Sequence, residues 1–455
     1  MCIFINSHNK HNFIKSQPKN LKRILGIGFG LAIIIGGTIG IGILRMPAII
    51  ASNTTNSVLF ISFWIIGGII SLLGASIYAE LGTRFAVAGG PFVYAQAAFG
   101  NTFGFITGWG NWIYLSCVIA YLSIAVAEYI NQLTKAHLPL GVMSSVLIGL
   151  LAVIQWQGLR LSSNFQKIMS ALKAIGLLIL VAGCFTYFFN SNRNSQEIIH
   201  TFPIHVPLFS SIVLSLRAIF VTYGGWNSAV YFAEEDKNPS KNLPRSLIWG
   251  VISIIIIYVL VNIGLIAVLP LQTMAKSLLP AADAAKLVFG GKGDFIVTII
   301  SVISLLGILN AVLLFTPRIL FAISRAGLFF NSISNLNKYS IPGNALLTTT
   351  LISGLLASSG LFNVVVNMTA LLIVLVDLSV YISIIFIRKQ KPGIVSPYKA
   401  WGYPYSAIIM ITITLGLAVG LFIEDSVNCF YSFFILALGI PIYYLNKKFS
   451  TQLGK

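Results

Sequence analysis

Four glycines, Gly36, Gly37, Gly40 and Gly42, fall within seven residues of one apolar stretch, Ile33 to Pro47 (IIIGGTIGIGILRMP). Each glycine weakens a helix interior by roughly 1 kcal/mol relative to alanine, so a lipid-facing helix gains nothing from the run. One chemistry that fits is close helix packing through small residues, as in G-x-x-x-G. The other is an opened backbone around Gly40-Ile41-Gly42, whose unpaired N–H groups a bound solute completes. At membrane depth an open backbone is tolerated only inside protein or facing a cavity. A second interruption tips the choice towards a binding site. Gly224-Gly225 lies in mid-segment in AIFVTYGGWNSAVYFAEEDKNPSKNLPR (218–245), with polar Asn227 and Ser228 directly after it.

Charges inside apolar segments are the other candidates. Lys173, in SALKAIGLLIL, lies roughly 12 Å in from the nearer end of its segment at 1.5 Å per residue. Such a lysine is costly unless it is paired, neutral or facing water, or unless it snorkels to the headgroups. Arg45 and Arg217 fall in the two interrupted segments, and Asp377 lies about 16 Å deep in a third. Catalysis finds little to work with. The histidines (His8, His11, His137, His200, His205) all lie outside the apolar segments, and neither H-E-x-x-H nor a G-K-[ST] loop occurs. An enzyme and an ATP-driven pump are both excluded on that ground.

The elements that must position these groups are membrane spans. Hydrophobic residues make up 57% of the 455 residues, charged residues only 9%, and mean hydropathy is +0.90. A soluble domain carries about a quarter charged residues. Twelve spans are expected near 24–51, 57–80, 92–130 (with a re-entrant or interfacial start), 141–158, 165–189, 209–233, 245–269, 293–321, 344–360, 363–387, 404–424 and 427–446. Alternate connections then hold 22 of the 29 basic residues on the side of the N-terminus and five on the other. This bias puts both termini in the cytoplasm and accounts for the net charge of +18 through topology and anionic lipid, not nucleic acid. The basic head, 1–23, runs straight into the first apolar segment without a cleavage site and reads as a retained cytoplasmic tail. Cys2, Cys117, Cys184 and Cys429 form no pair in one outside loop, so no disulfide framework is expected. Neither a cofactor nor a metal is expected.

The two interruptions are five spans apart, the best sequence pointer to a secondary-transporter site at the midplane. Here the residues carry a resemblance. GGTIGIGILRMP resembles the first-span G-x-G-I signature of the amino acid–polyamine–organocation (APC) superfamily. YGGWN with AEEDKNPSKNLPRSL, AVAGGPFVYAQAAFG (86–100) and LNAVLLFTPRILFAISRAGLF (309–329) are similar to segments of its L-type amino acid transporter branch. The resemblance covers nearly the whole chain. It implies an all-α, leucine-transporter-like fold with broken helices 1 and 6: a first inverted repeat over 24–189, a second over 209–387, two peripheral helices over 404–446 and a cytoplasmic tail over 447–455.

For an amino acid, the first break offers N–H donors at the start of a half-helix, where the helix dipole favours the carboxylate. Thr38, Gly40, Ile41 and Gly42 are assigned to that role. Carbonyls around Ile35, Val221, Thr222 and Gly224 are assigned to the ammonium. Val221, Tyr223, Trp226 and Asn227 are expected to wall the side chain, and the mostly apolar set favours a neutral one. An acidic substrate, drawn by Arg45 and Arg217, ranks second. A cationic one ranks last because no acid stands in evident reach of the pocket. Many relatives place an aromatic gate where Val221 stands here, so the gate falls to Phe220 or Tyr223. Sodium-independent relatives carry a lysine matching Lys173, which implies that its ammonium replaces a sodium ion and leaves room for proton coupling. In sodium-coupled relatives an arginine matching Arg45 closes the outer gate against an acid in the tenth span, here Asp377 or otherwise Glu128. Glu234 and Glu235 are expected to hold the inner gate through salt bridges.

The reading is a sodium-independent permease or exchanger of L-amino acids in a prokaryotic inner membrane, in contact with lipid. A non-transporting sensor on the same fold is the alternative. Eukaryotic members of the branch join a partner chain through a cysteine in the outer loop after the third span. The loop 131–140 has none, so no disulfide-linked accessory subunit is expected.

Overall fold

The computed structural model of the protein describes residues 21–135, 137–191 and 208–453. Most of the expected head, 1–20, therefore lies outside the described residues, as do 192–207 and the last two residues of the tail. The chain is helical, and its β-pairing among the described residues is one bridge between Leu25 and Asp236. In order the helices are α1 (Ile27–Thr38), α2 (Gly42–Ser52), α3 (Ser57–Arg84), α4 (Pro91–Phe99), α5 (Asn101–Thr134), α6 (Leu140–Trp156), α7 (Leu159–Asn190) and α8 (Leu208–Tyr223). A 3-10 helix (Trp226–Phe232) leads to α9 (Pro239–Val268), α10 (Leu271–Ala275), α11 (Pro280–Phe289), α12 (Gly293–Arg325), α13 (Gly343–Ser358), α14 (Phe362–Gln390), α15 (Tyr405–Glu424) and α16 (Ser426–Leu453).

Eight helices among the described residues are long and apolar enough to cross a bilayer, nine if the bent pair α1–α2 counts as one span. The other three expected spans are shorter: α6 has 17 residues, α13 has 16, and α8 stops after 16 where Gly224 and Gly225 interrupt it. The third span begins as a separate helix, α4, which Gly100 divides from α5. The fifth and seventh spans, α7 and α9, begin earlier than expected. The polar turn from Arg160 to Asn164 is already helical, and Pro239 takes the first position of α9, where a missing N–H costs nothing. Short α10 and α11 lie in a connection the hydropathy pattern leaves blank.

The core gathers around the two interruptions. α1 packs on α9, α7 and the 3-10 helix, α12 packs on α5 and α7, and α3 packs on α9. Between α1 and α2 the axis bends by 49°. At the second interruption Gly225 adopts φ +101°, and a Cβ there would stand 2.4 Å from the Gly37 carbonyl oxygen. The two breaks thus touch through main chain, which only a glycine at this point allows. Gly225→Ala should therefore combine left-handed strain of about 1–2 kcal/mol with separation of the breaks. The expected result is a lower melting temperature in detergent and loss of amino acid uptake by cells. A variant with wild-type melting and uptake would show that the close approach is dispensable.

Candidate functional site

The first break is held open by a side chain from α7. Lys173 is fully buried, and its ammonium donates to the carbonyls of Gly36 (2.8 Å) and Ile39 (2.6 Å) from the end of α1 and of Ser304 (3.2 Å) from α12. Three N–H donors meet three backbone acceptors, so the charge is solvated by peptide dipoles. Snorkelling is excluded by this geometry. Ser170, one turn earlier, donates to Ala32 O at 2.7 Å, and Gln166 accepts from Asn310 Nδ2 at 2.6 Å. One face of α7 is thereby bonded to both α1 and α12. A Cβ at Gly36 would lie 2.0 Å from Gln166 Nε2 and 2.4 Å from Ser170 Oγ, so a larger residue would displace these side chains from their bonds.

On the α2 side, the N–H groups of Gly40, Ile41 and Gly42 find no partner among the described residues, and the Thr38 hydroxyl is buried and unbonded. These are free donors at a helix N-terminus, the requirement for holding an anion. The acceptors are more occupied than expected. Ile35 O receives the Ile39 N–H (3.0 Å), Val221 O the Gly224 N–H (3.3 Å) and Thr222 O the Tyr258 hydroxyl (2.9 Å). The same hydroxyl lies 3.2 Å from Thr38 O, so it is shared between the breaks. Ser228 adds a bond to Ile33 O at 3.1 Å. Each carbonyl keeps a second lone pair.

A small cavity borders the second break. It is lined by Gly224, Gly225, Trp226 and Asn227, by Phe220, and by Asp377 from α14. Ile70, Ser71, Phe220 and Ile373 line both it and a larger apolar cavity of about 380 Å³. Two expected wall residues are elsewhere. Val221 is 62% exposed and lines the apolar cavity but not the small one. Tyr223 is buried against Tyr258, with its hydroxyl on Trp64 O at 2.9 Å, and lines neither cavity. Phe220 remains at the junction of the cavities.

In this structure Asp377 does not make the expected pair with Arg45. Its carboxylate accepts from Tyr78 at 2.5 Å beside the second break, while Arg45 is exposed on α2 and forms no ion pair with it. An acid therefore does reach the pocket, contrary to the sequence expectation. Arg217 pairs with Glu424 at the apolar cavity, so it offers no unmatched charge to an acidic substrate.

The model of the family described as amino acid permease matches residues 30–444. The chain belongs to that family. It falls in the L-type amino acid transporter branch of the APC superfamily and is a membrane transporter of amino acids, not an enzyme. Among its relatives, the serine/threonine exchanger SteT of Bacillus subtilis is 26% identical, the alignment covering 95% of this chain and 99% of the exchanger. The large neutral amino acids transporter small subunit 2 of Mus musculus is 27% identical, over 93% of this chain and 81% of the relative. The b(0,+)-type amino acid transporter 1 of Rattus norvegicus is 24% identical, over 89% and 84%.

At one end of its bundle the permease carries ion pairs, whose cations come from α12 and not from the loop that carries the acids. Glu235 takes a two-pronged pair from Arg318 (2.5 and 2.9 Å), and Glu234 one from Arg325 (2.6 and 2.5 Å). Glu234 also accepts the N–H groups of Ala88 (2.9 Å) and Leu21 (3.4 Å), which ties the start of the described chain to this loop. A further clamp, not expected from sequence, joins α3 to α14 and the segment beyond it: Glu80 accepts from Arg388 and from the Ala400 N–H. The seven-residue spacing of Arg318 and Arg325, two turns on one helix face, was the available signal for the first pairs. Beside the clamps a cavity of about 620 Å³ opens along Ile24 to Phe29, lined also by Arg160, Lys167 and Lys237.

Arg318 and Glu235 are both almost wholly buried. Glu235→Gln should strand the arginine and cost about 3–5 kcal/mol, whereas replacing both partners with apolar residues of similar volume should cost far less. Thermal unfolding of the single and double variants in detergent checks this. Equal losses would mean that the pair contributes only through packing.

Proposed function

We propose that this protein is a sodium-independent permease or exchanger of neutral L-amino acids that works by alternating access around the two breaks. The observation that carries the reading is the Lys173 ammonium seated in the carbonyls of Gly36, Ile39 and Ser304. A fixed organic cation there fills the place between the first break and α12 that a coupling metal ion would need, so no sodium is required to hold the break open. The free N–H groups of Gly40, Ile41 and Gly42, with the Thr38 hydroxyl, take the substrate carboxylate. Second lone pairs on the carbonyls of Ile35, Val221, Thr222 and Gly224 receive the ammonium. Asn227 and Phe220, beside the mostly apolar walls, suit a neutral side chain. The pairing of Arg217 with Glu424 weighs against an acidic substrate.

The twelve-span, five-plus-five arrangement with both termini cytoplasmic, in a prokaryotic inner membrane, is part of the same proposal. On that orientation the Glu234–Arg325, Glu235–Arg318 and Glu80–Arg388 pairs close the cytoplasmic side, and the 620 Å³ cavity is the beginning of the inner passage. Lys173 also offers a place for a proton to be given up during the cycle. A pure sensor would bind without flux, which separates it from a permease in the first experiment below.

In proteoliposomes of the full chain, replacing sodium by choline at constant proton gradient should leave amino acid uptake unchanged, and Lys173→Ala should reduce it at least about tenfold by removing a buried charged donor. Loss of uptake in choline would overturn the sodium-independent reading. The relatives include a transporter named as a small subunit. For this chain we propose no disulfide-linked partner, because the loop 131–140 lacks cysteine and Cys117, Cys184 and Cys429 are buried. Electrophoresis of native membranes without reductant should show only the unlinked chain, and a heavier band that collapses on reduction would refute this.

A further inference from the structure

The 620 Å³ cavity at the ion-paired end is lined by three cations and no acid: Arg160 and Lys167 come from the first turns of α7, and Lys237 from the loop before α9. None of the three forms an ion pair among the described residues. Lys167 reaches only the amide oxygen of Asn164, at 3.4 Å. The acids of the neighbouring loop are engaged elsewhere. Glu234 and Glu235 hold Arg325 and Arg318, and Asp236 accepts from the Asn238 N–H and the Asn242 amide, both at 2.7 Å. α1 starts at the same cavity. The N–H groups of Gly26, Ile27 and Gly28 find no partner among the described residues, and no side chain caps them. Topology accounts for basic residues at this end of the bundle. It does not account for their convergence with unpaired N–H groups on one cavity, which is the chemistry of an anion site.

We propose that this cavity binds the phosphate of an anionic phospholipid, whose acyl chains lie along α7. The neighbouring surface supplies the place for the chains. Ile24 and Ile27 line the cavity and are themselves exposed, and Leu161, Ile168, Leu172 and Ile175 are exposed at helical spacing along α7. The apolar stripe thus runs from beside Lys167 towards the depth of Lys173. A soluble phosphate would use the cations and leave the stripe idle, whereas a lipid uses both. Basic pockets between spans take anionic headgroups in this way. The bound phosphate ties the start of α1 to α7 and to the loop that carries the ion-paired acids, where Lys237 N–H already bonds Leu25 O at 3.0 Å. On the orientation proposed above, the lipid comes from the cytoplasmic leaflet.

The test uses full-length protein in neutral detergent, titrated with phosphatidylglycerol, with phosphatidylethanolamine of the same chains, or with inorganic phosphate. Melting temperature and lipid adducts in native mass spectra are read together. Phosphatidylglycerol should bind and raise the melting temperature, and the other two should not. The triple variant Arg160→Gln, Lys167→Gln, Lys237→Gln should need about tenfold more phosphatidylglycerol or more for half the effect. A control triple, Lys338→Gln, Lys389→Gln, Lys399→Gln, removes the same charge from other exposed positions and should behave as wild type. Equal losses in the two triples would show binding set by net charge and overturn the site, as would undiminished binding in the first. Stabilisation by inorganic phosphate alone would overturn the lipid and leave a soluble anion as the ligand. None of these readouts needs flux, so their failure leaves the permease reading standing, and a chain that moved no amino acid could still bind the lipid.

Discussion

The arrangement at the centre of this protein depends on one ammonium group. Lys173 reaches from α7 into the unwound end of α1 and bonds two of its carbonyls, with a third from α12. Without a donor there, the last carbonyls of α1 would face an apolar interior unpaired, which is untenable at membrane depth. The broken helix, the free N–H groups of α2 and the docking of α1 against α7 and α12 are all conditional on that contact. It also fixes a sign. When Lys173 is protonated, the first break has a positive charge at its carbonyl side, and the donors of Gly40 to Gly42 then lie in a field that favours an anion.

Around this point the polar groups divide by the kind of bond they make. Near the breaks, apart from Lys173 and Asp377, the partners are hydroxyls, amides and peptide groups: Ser170, Ser228, Tyr258, Gln166 and Asn310. These can be exchanged one for another at small cost. Away from the breaks the partners are full ion pairs, Arg318–Glu235, Arg325–Glu234 and Arg388–Glu80, which resist piecemeal opening because each leaves a buried charge. Exchangeable contacts thus gather at the two breaks and firm ones at the end of the bundle.

Much of this was legible in the sequence, for reasons that can be named. The glycines at 36–42 and 224–225 stood out because a helix interior penalises them, and Lys173 because lipid does. Long-range partners were not legible. Tyr78 and Asp377 are 299 residues apart, and nothing distinguishes a tyrosine that donates to an acid from one that fills space. Depth along a helix placed Asp377 roughly right but said nothing about the face it occupies. Val221 shows the same limit in reverse: the main-chain break was found, yet one residue of rotation turned the side chain outwards. Arg318 and Arg325 were read only as topological charge, although their spacing put both on the face that meets the acids.

The Tyr258 hydroxyl has a consequence for motion. It carries one proton and stands within reach of two carbonyls, 2.9 Å from Thr222 and 3.2 Å from Thr38, one on each broken segment. When the segments part, the proton can follow either one, so no donor is stranded at any instant. The joint behaves as a handover, in which a bond changes owner instead of being cut. On the alternating-access reading proposed above, a rocking step would keep its firm contacts at the ion-paired end and an exchangeable one at the pivot.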